Sequence, residues 1–588
     1  MVVTPPTRSA ESHLVWAEQH SGTTVTMAVL NMKSAYWTSN VGSWTRHARH
    51  ILSFGMLRKR QPAEAPAPVG RSGTANPGPS AGSKPTPFAL IAFLAFVALY
   101  GVLGMSLSNA PLQDLPNHLA RAHVISDLLF NHGHQFGATF SVALSFNPYL
   151  IGDLILAVLD RYVGATAAAS LWICVAVLLL PFSVVFALKK QGVSNTAALT
   201  GGILSFYVAT SWFFIMGFMN YQLALASAIF SYGWFLKAKA SGNLQSYCGY
   251  LLVVFFSYAL HLSSLIFISA LVGILLLIDL IRRRVSFIRA AVLMACPVLL
   301  LALHFGFVAY SAPGNWPTSW GTLLTKLQRI GSPVGRFSPA LDLLLLALFL
   351  VFALFPLFPR LQRSLWAELA PLVACAAVFL GIFFALPSYT GNIYSVDVRA
   401  LPYALLFLVF AGVAAADKFA AATRVQLVLA TVFATLNLVY VAYNVLPQNH
   451  DLGRYRAIAA AVPAGAHVLP INTRPDISRY RPFVHAGSFA TVESGAITPY
   501  LFAADKDSAM AYFGYHSRDS GPDEYWDFNH SPAGKAAGYG DHARVWHGIQ
   551  QTYQYLLITV PWDRDRIPIP YTVVTSNEVA ALLKVTKQ

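Results

Sequence analysis

Charge is scarce in this sequence. Of 588 residues, 40 are Lys or Arg and 25 are Asp or Glu, 11% in all, while 56% are hydrophobic. A soluble globular chain carries about 25% charge, so a water-soluble fold is excluded for most of the length. Cysteine is also rare. Cys174, Cys248, Cys296 and Cys375 all fall inside apolar runs, with no pairing pattern or metal-site spacing, and read as small apolar residues. Gly-rich phosphate loops, nucleophile elbows and zinc motifs are missing throughout, so none of those chemistries has a sequence signature here.

What is abundant is apolar sequence. Runs of about 14 to 23 residues recur between Pro87 and Leu446, and most are long enough to cross a bilayer as a helix. Lipid leaves backbone polar groups only two solutions, helices or closed barrels. The fold class expected is an all-α polytopic membrane protein. The net charge of +15 does not indicate nucleic acid, because the basic residues cluster beside the apolar runs, where they set orientation in a membrane.

Residues 1–86 hold nine Lys or Arg against three Asp or Glu, and 61–87 is rich in Pro, Ala, Gly and Ser. That composition predicts a disordered basic arm and linker on the cytoplasmic side. The first span is expected at Pro87–Leu107. The run after Tyr149 carries Asp153, Asp160 and Arg161, which is costly against lipid, so an interfacial or re-entrant helix is expected there and the second span at 166–188. Later spans then alternate, and five inward crossings all end in basic residues such as Lys189, Lys237, Arg282, Arg360 and Lys418. The result is about eleven spans, N-terminus in and C-terminus out, with residues 87–446 as the membrane domain.

This topology gathers a set of polar residues on the outer face. In Gln113-Asp114-Leu115-Pro116-Asn117-His118-Leu119-Ala120-Arg121, a helix would place Asp114, His118 and Arg121 on one side. The same residues also fit a plain helix start, with Asp114 as cap and Pro116 in the first turn. Asn147 and Tyr149, Asn220, Tyr221 and Gln222, His261, Trp316 and Trp320, and Asp397 with Arg399 complete the set. His261 reads equally as a cap in a tight helical hairpin, and Asp397 with Arg399 as an exposed pair at a helix start. Met216 to Gln222 reads first as turn and packing chemistry. The histidines at 118, 123, 132 and 134 match no metal-ligand spacing. Residues 447–588 regain charge, Gly and Pro. They predict a small extracytoplasmic α/β domain, with helices at 451–461 and 578–585 and strands at 466–471, 555–560 and 571–575.

The pattern resembles the C-type membrane glycosyltransferases, over roughly residues 87–445. Gln113-Asp114-Leu115-Pro116-Asn117-His118 matches the acidic position of the first external loop. Asn147-Pro148-Tyr149-Leu150 is similar to the start of the interfacial helix. The segments around Gly217-Phe218-Met219-Asn220-Tyr221, His261 and Asp397-Val398-Arg399 resemble those of bacterial members. Many members have a second acidic residue in the second external loop, where this chain offers Asn220 and Gln222. The resemblance implies transfer of a sugar from a polyprenyl-phosphate donor to a glycan, lipid or protein acceptor outside the bacterial inner membrane. Asp114 would be the general base. His118, Arg121, Asn147, Tyr149, Asn220, Gln222, His261, Asp397 and Arg399 would bind substrate. No cofactor is expected, and the sequence gives a divalent metal no support. Two other readings compete: a transporter or flippase, and a non-catalytic subunit of cell-envelope polysaccharide assembly. The transporter would need charges at mid-membrane or an inverted repeat, and the sequence has few of the former and no visible repeat.

Overall fold

The helical stretch Leu150–Lys190 is two helices joined at a kink at Gly164. The computed structural model describes residues 84–142, 148–311, 318–357, 363–390, 393–474, 479–499, 501, 510–512, 542–562 and 567–587. All of them lie in one contact unit, Asn76–Gln588. The helices used below are α1 (Pro87–Ser106), α2 (Leu115–Phe130), α3 (Leu150–Lys190), α4 (Asn195–Ala209), α5 (Met219–Ser241), α6 (Leu244–Leu260), α7 (Leu262–Ile281), α8 (Phe287–Ser311), α9 (Leu323–Arg329), α10 (Pro339–Leu354), α11 (Arg363–Ala385), α12 (Leu401–Asp417), α13 (Ala420–Ala459), α14 (Phe489–Ser494) and α15 (His542–Thr552).

Eight of the described helices are long and apolar enough to cross a membrane: α1, α3, α7, α8, α10, α11, α12 and α13. Each coincides with one of the eleven expected spans. The other three expected spans fall on α4, α5 and α6. With 15 and 17 residues, α4 and α6 reach about 23 to 26 Å, short of a 30 Å hydrocarbon layer. Most of α4 and α5 is buried against other helices, so these two serve as core rather than lipid-facing walls.

The expected break before the second span is present. In α3, Gly164 has φ 79° and ψ 157°, a conformation that residues with a Cβ avoid. It separates a stretch with Asp153 and Asp160 from an apolar span that ends at Lys189 and Lys190. In α13 the expectation is corrected. The separate amphipathic helix placed at 451–461 is the end of one 40-residue helix that runs through Pro447. Proline removes one ladder bond, and burial of Leu452, Tyr455 and Ile458 holds the turns beyond it.

The C-terminal sheet has four strands: β1 (Val468–Ile471), β2 (Tyr555–Thr559), β3 (Tyr571–Ser576) and β4 (Ala580–Val585), in the order β1-β2-β4-β3. β1 and β2 are parallel, and the other pairs are antiparallel. The helix expected over 578–585 is instead β4. Its run of helix-forming residues is overridden because strands pair on both its edges and Ala580, Ala581, Leu582 and Leu583 are fully buried. One sheet face packs Leu469, Ile558 and Leu583 against Trp546 and Ile549 of α15. The other turns Val468, Leu557 and Leu582 into the core shared with the membrane helices.

Polar clamps close the helical body. Arg336 is wholly buried, bonds Asp342, the Thr210 carbonyl and Asn437, and lies over the Tyr207 and Tyr440 rings. Asn437 of α13 donates in turn to Tyr100 of α1 and Thr210.

Candidate functional site

Asp114 sits in the turn between α1 and α2, and its backbone is held from outside. Gln113 and Asp114 donate their N–H groups to the carbonyls of Ile215 and Met216, at 3.1 and 2.9 Å. That approach depends on Gly217, which has φ 76°; a Cβ there would stand 2.7 Å from Leu115 N and 2.9 Å from Asp114 N. Residues 216–222 are therefore packing chemistry with a purpose, since they fix the acidic residue. From the C-terminal region, Tyr480 donates to the Pro111 carbonyl at 2.5 Å, and Ser488 bonds the Asn117 side chain at 3.3 Å.

The Asp114 side chain makes no capping hydrogen bond to α2, so the plain helix-start reading is not what uses this carboxylate. Oδ1 faces His485 Nε2 at 3.5 Å. Burial pushes the Asp114 carboxyl up to about 7, against smaller downward pulls from a Gln113 hydrogen bond and the Arg399 charge. His485 is the residue that sequence reasoning missed. It lies some 370 positions from Asp114 by number, in a stretch with no motif, and only the docking of the C-terminal region against α2 brings it there.

Two arginine–histidine pairs are buried in the same body, and the charge of one of the arginines, Arg399, acts on Asp114. Arg121 Nη2 is 2.6 Å from Asp153 Oδ1 and 3.1 Å from His118 Nδ1. Arg399 Nη1 is 2.9 Å from His261 Nε2. A guanidinium only donates, so the facing imidazole nitrogen must accept. On its other side the His261 ring accepts the Ser263 N–H at Nδ1, 3.1 Å away, with Ser263 Oγ at 2.8 Å, so His261 also caps α7 as the hairpin reading expected. Burial, followed by the charge of the adjacent arginine, holds both imidazoles well below the usual histidine range. Both are neutral at physiological pH.

The other expected site residues have mixed positions. The Tyr149 and Tyr221 rings stand edge-on to His261, with centroids 4.9 and 5.6 Å away. Asn220 is buried against α3 where Gly152 leaves room for its amide. Gln222 is buried and donates to Ser211 at 3.3 Å. Asn147 and Trp316 lie outside the described residues. Asp397 does not share its charge with Arg399, and neither is exposed. Asp397 is fully buried and takes Lys326 Nζ at 2.7 Å, Arg329 Nη1 at 3.2 Å and Ser388 Oγ at 2.8 Å, so it ties α9 to the start of α12. The histidine group dissolves: His123 turns to Asp160 at 2.9 Å. Among the described residues, no group of three His, Cys, Asp or Glu could hold a metal ion.

No protein-family model matches this chain, and no curated protein matches it.

Proposed function

We propose that this chain is a membrane glycosyltransferase that moves a sugar from a polyprenyl-phosphate donor to an acceptor at the outer face of the bacterial inner membrane. The eleven-span topology with the C-terminus outside belongs to the same reading. The observation that carries it is a buried carboxylate pushed up to about 7, with the Arg399 charge acting on it and His485 3.5 Å away, beside a body of long apolar helices. Asp114 takes the proton of the acceptor hydroxyl as its oxygen attacks the anomeric carbon, and a base is most effective when its pKa lies near the working pH. The sugar–phosphate bond breaks and the lipid phosphate leaves with the electron pair. Arg399 stabilises that departing charge, with the neutral His261 holding the guanidinium in place, because a planar fork suits phosphate oxygens. Arg121 is engaged by Asp153 and contributes position rather than phosphate binding.

The test is transfer of radiolabelled sugar from a synthetic polyprenyl-phosphate donor by purified protein in lipid. Asp114→Asn is expected to lower transfer roughly 100- to 10,000-fold with unchanged membrane insertion. Full activity in that variant removes Asp114 from the role of base.

A further inference from the structure

About nine residues along α2 from Asp114, some 13 Å by helical rise, lies a second polar feature. A cavity of about 300 Å³ opens at the Gly164 break, between α2, α3 and the outer ends of α13 and α14. Its size is at the small end of ligand pockets. Asp127, Asp160, Arg161, Arg456 and Glu493 bring charge to its wall, and Asn131 stands at its rim.

The wall is partly committed and partly open. Asp127 and Asp160 are both more than nine-tenths buried. Asp127 Oδ2 accepts from the Gln135 and Phe136 N–H groups, and Asp160 Oδ2 faces His123. Among the described residues, the second oxygen of each makes no hydrogen bond. Glu493 uses Oε1 on Arg456, and Arg161 makes no ion pair or hydrogen bond among the described residues. None of these open positions is a buried unpartnered atom among the described residues, so they face the cavity's water, and a ligand seated there has to replace the hydrogen bonds of that water.

The chemistry narrows that ligand. Carboxylates only accept and a guanidinium only donates, so the ligand must offer both functions at several points. A metal ion does not fit, since no three ligating groups converge among the described residues. An anion would meet three carboxylates, and an apolar molecule would strand them. Hydroxyl groups each donate and accept. We infer that this cavity binds a neutral, hydroxyl-rich saccharide unit. As a subsite for the acceptor glycan, remote from the reacting hydroxyl, it rests on the function proposed above; as a saccharide site it does not.

The experiment is saturation-transfer NMR on the full chain in detergent, without donor, using the methyl glycosides of glucose, galactose, mannose and arabinose at millimolar concentration. At least one should give a signal that falls by more than half in Arg161→Ala and in Asn131→Trp, two changes at exposed positions. The signal should persist in Asp114→Asn. Absence of signal from all four overturns the assignment. So does a signal that survives both cavity variants, or one that vanishes only in Asp114→Asn, which would move saccharide binding to the first site and leave the transferase reading standing. A cavity that binds while Asp114→Asn still transfers sugar supports the saccharide site and removes Asp114 from the role of base.

Discussion

Arg399 Nη1 stands 2.9 Å from His261 Nε2, and Tyr221 donates to the Arg399 carbonyl at 2.8 Å. The guanidinium also lies over the Phe218 ring, 5.6 Å from its centroid. The residue is thus gripped at head and backbone by α5 and by the α6–α7 corner. Such a grip fixes the position and orientation of the guanidinium.

Replacing Arg399 by lysine tests that grip. An ammonium keeps the charge and loses the fork. Charged hydrogen bonds are worth about 1.5 to 3 kcal/mol, so transfer should fall roughly 10- to 100-fold. Rates measured across donor concentrations check this, and wild-type rates would remove Arg399 from phosphate stabilisation.

The pH dependence follows from Asp114. A base must be deprotonated, so transfer should rise with pH and level off above about 7, where burial has pushed this carboxyl. Stability runs the other way. The folded state holds the proton more tightly than the unfolded chain, whose carboxyl titrates near 3.9. The resulting stabilisation is complete below that value and is lost as pH rises to about 7. Asp114→Asn should therefore unfold at a higher temperature than wild type at pH 8, by up to about 4 kcal/mol, and show little advantage at pH 4. Thermal unfolding at both pH values reads this out.

Gly217→Ala should damage the site through the backbone. The added Cβ meets Leu115 N and Asp114 N at 2.7 and 2.9 Å, at a positive φ. The cost should be about 1 to 3 kcal/mol, with a loss of transfer as Asp114 shifts. Gly306→Ala, where nothing lies within 4 Å of the new atom, is the control. Melting temperature and transfer rate measured on both variants separate the two.

Asp397→Asn removes the buried anion shared by Lys326 and Arg329. Uncompensated buried charge costs about 3 to 5 kcal/mol, so the melting temperature should drop sharply. The double variant with Lys326→Met should recover part of the loss. A single variant as stable as wild type would show that the cluster does not tie α9 to α12.

Several elements were legible in the order of residues. The run Pro87–Ser106 and the break within Leu150–Lys190 follow from local rules, because lipid enforces helix and a charge such as Asp153 or Asp160 is costly against it. Strand Tyr555–Thr559 was also readable from its own pattern. Strand Ala580–Val585 and the continuous helix through Pro447 were not, since neighbouring strands and long-range burial outweighed local propensity there. At the site, spacing alone brought Asp114, His118 and Arg121 to one helix, but it could not decide between a cap and a carboxylate in use. The sequence by itself determined that this is a multi-helix membrane chain with polar residues at the ends of its spans. Only the tertiary structure decided that His485 meets Asp114, that Asp397 belongs to Lys326 and Arg329, and that Arg399 belongs to His261. Such pairings join positions far apart in the chain, and their energy comes from burial that no short stretch of residues can specify.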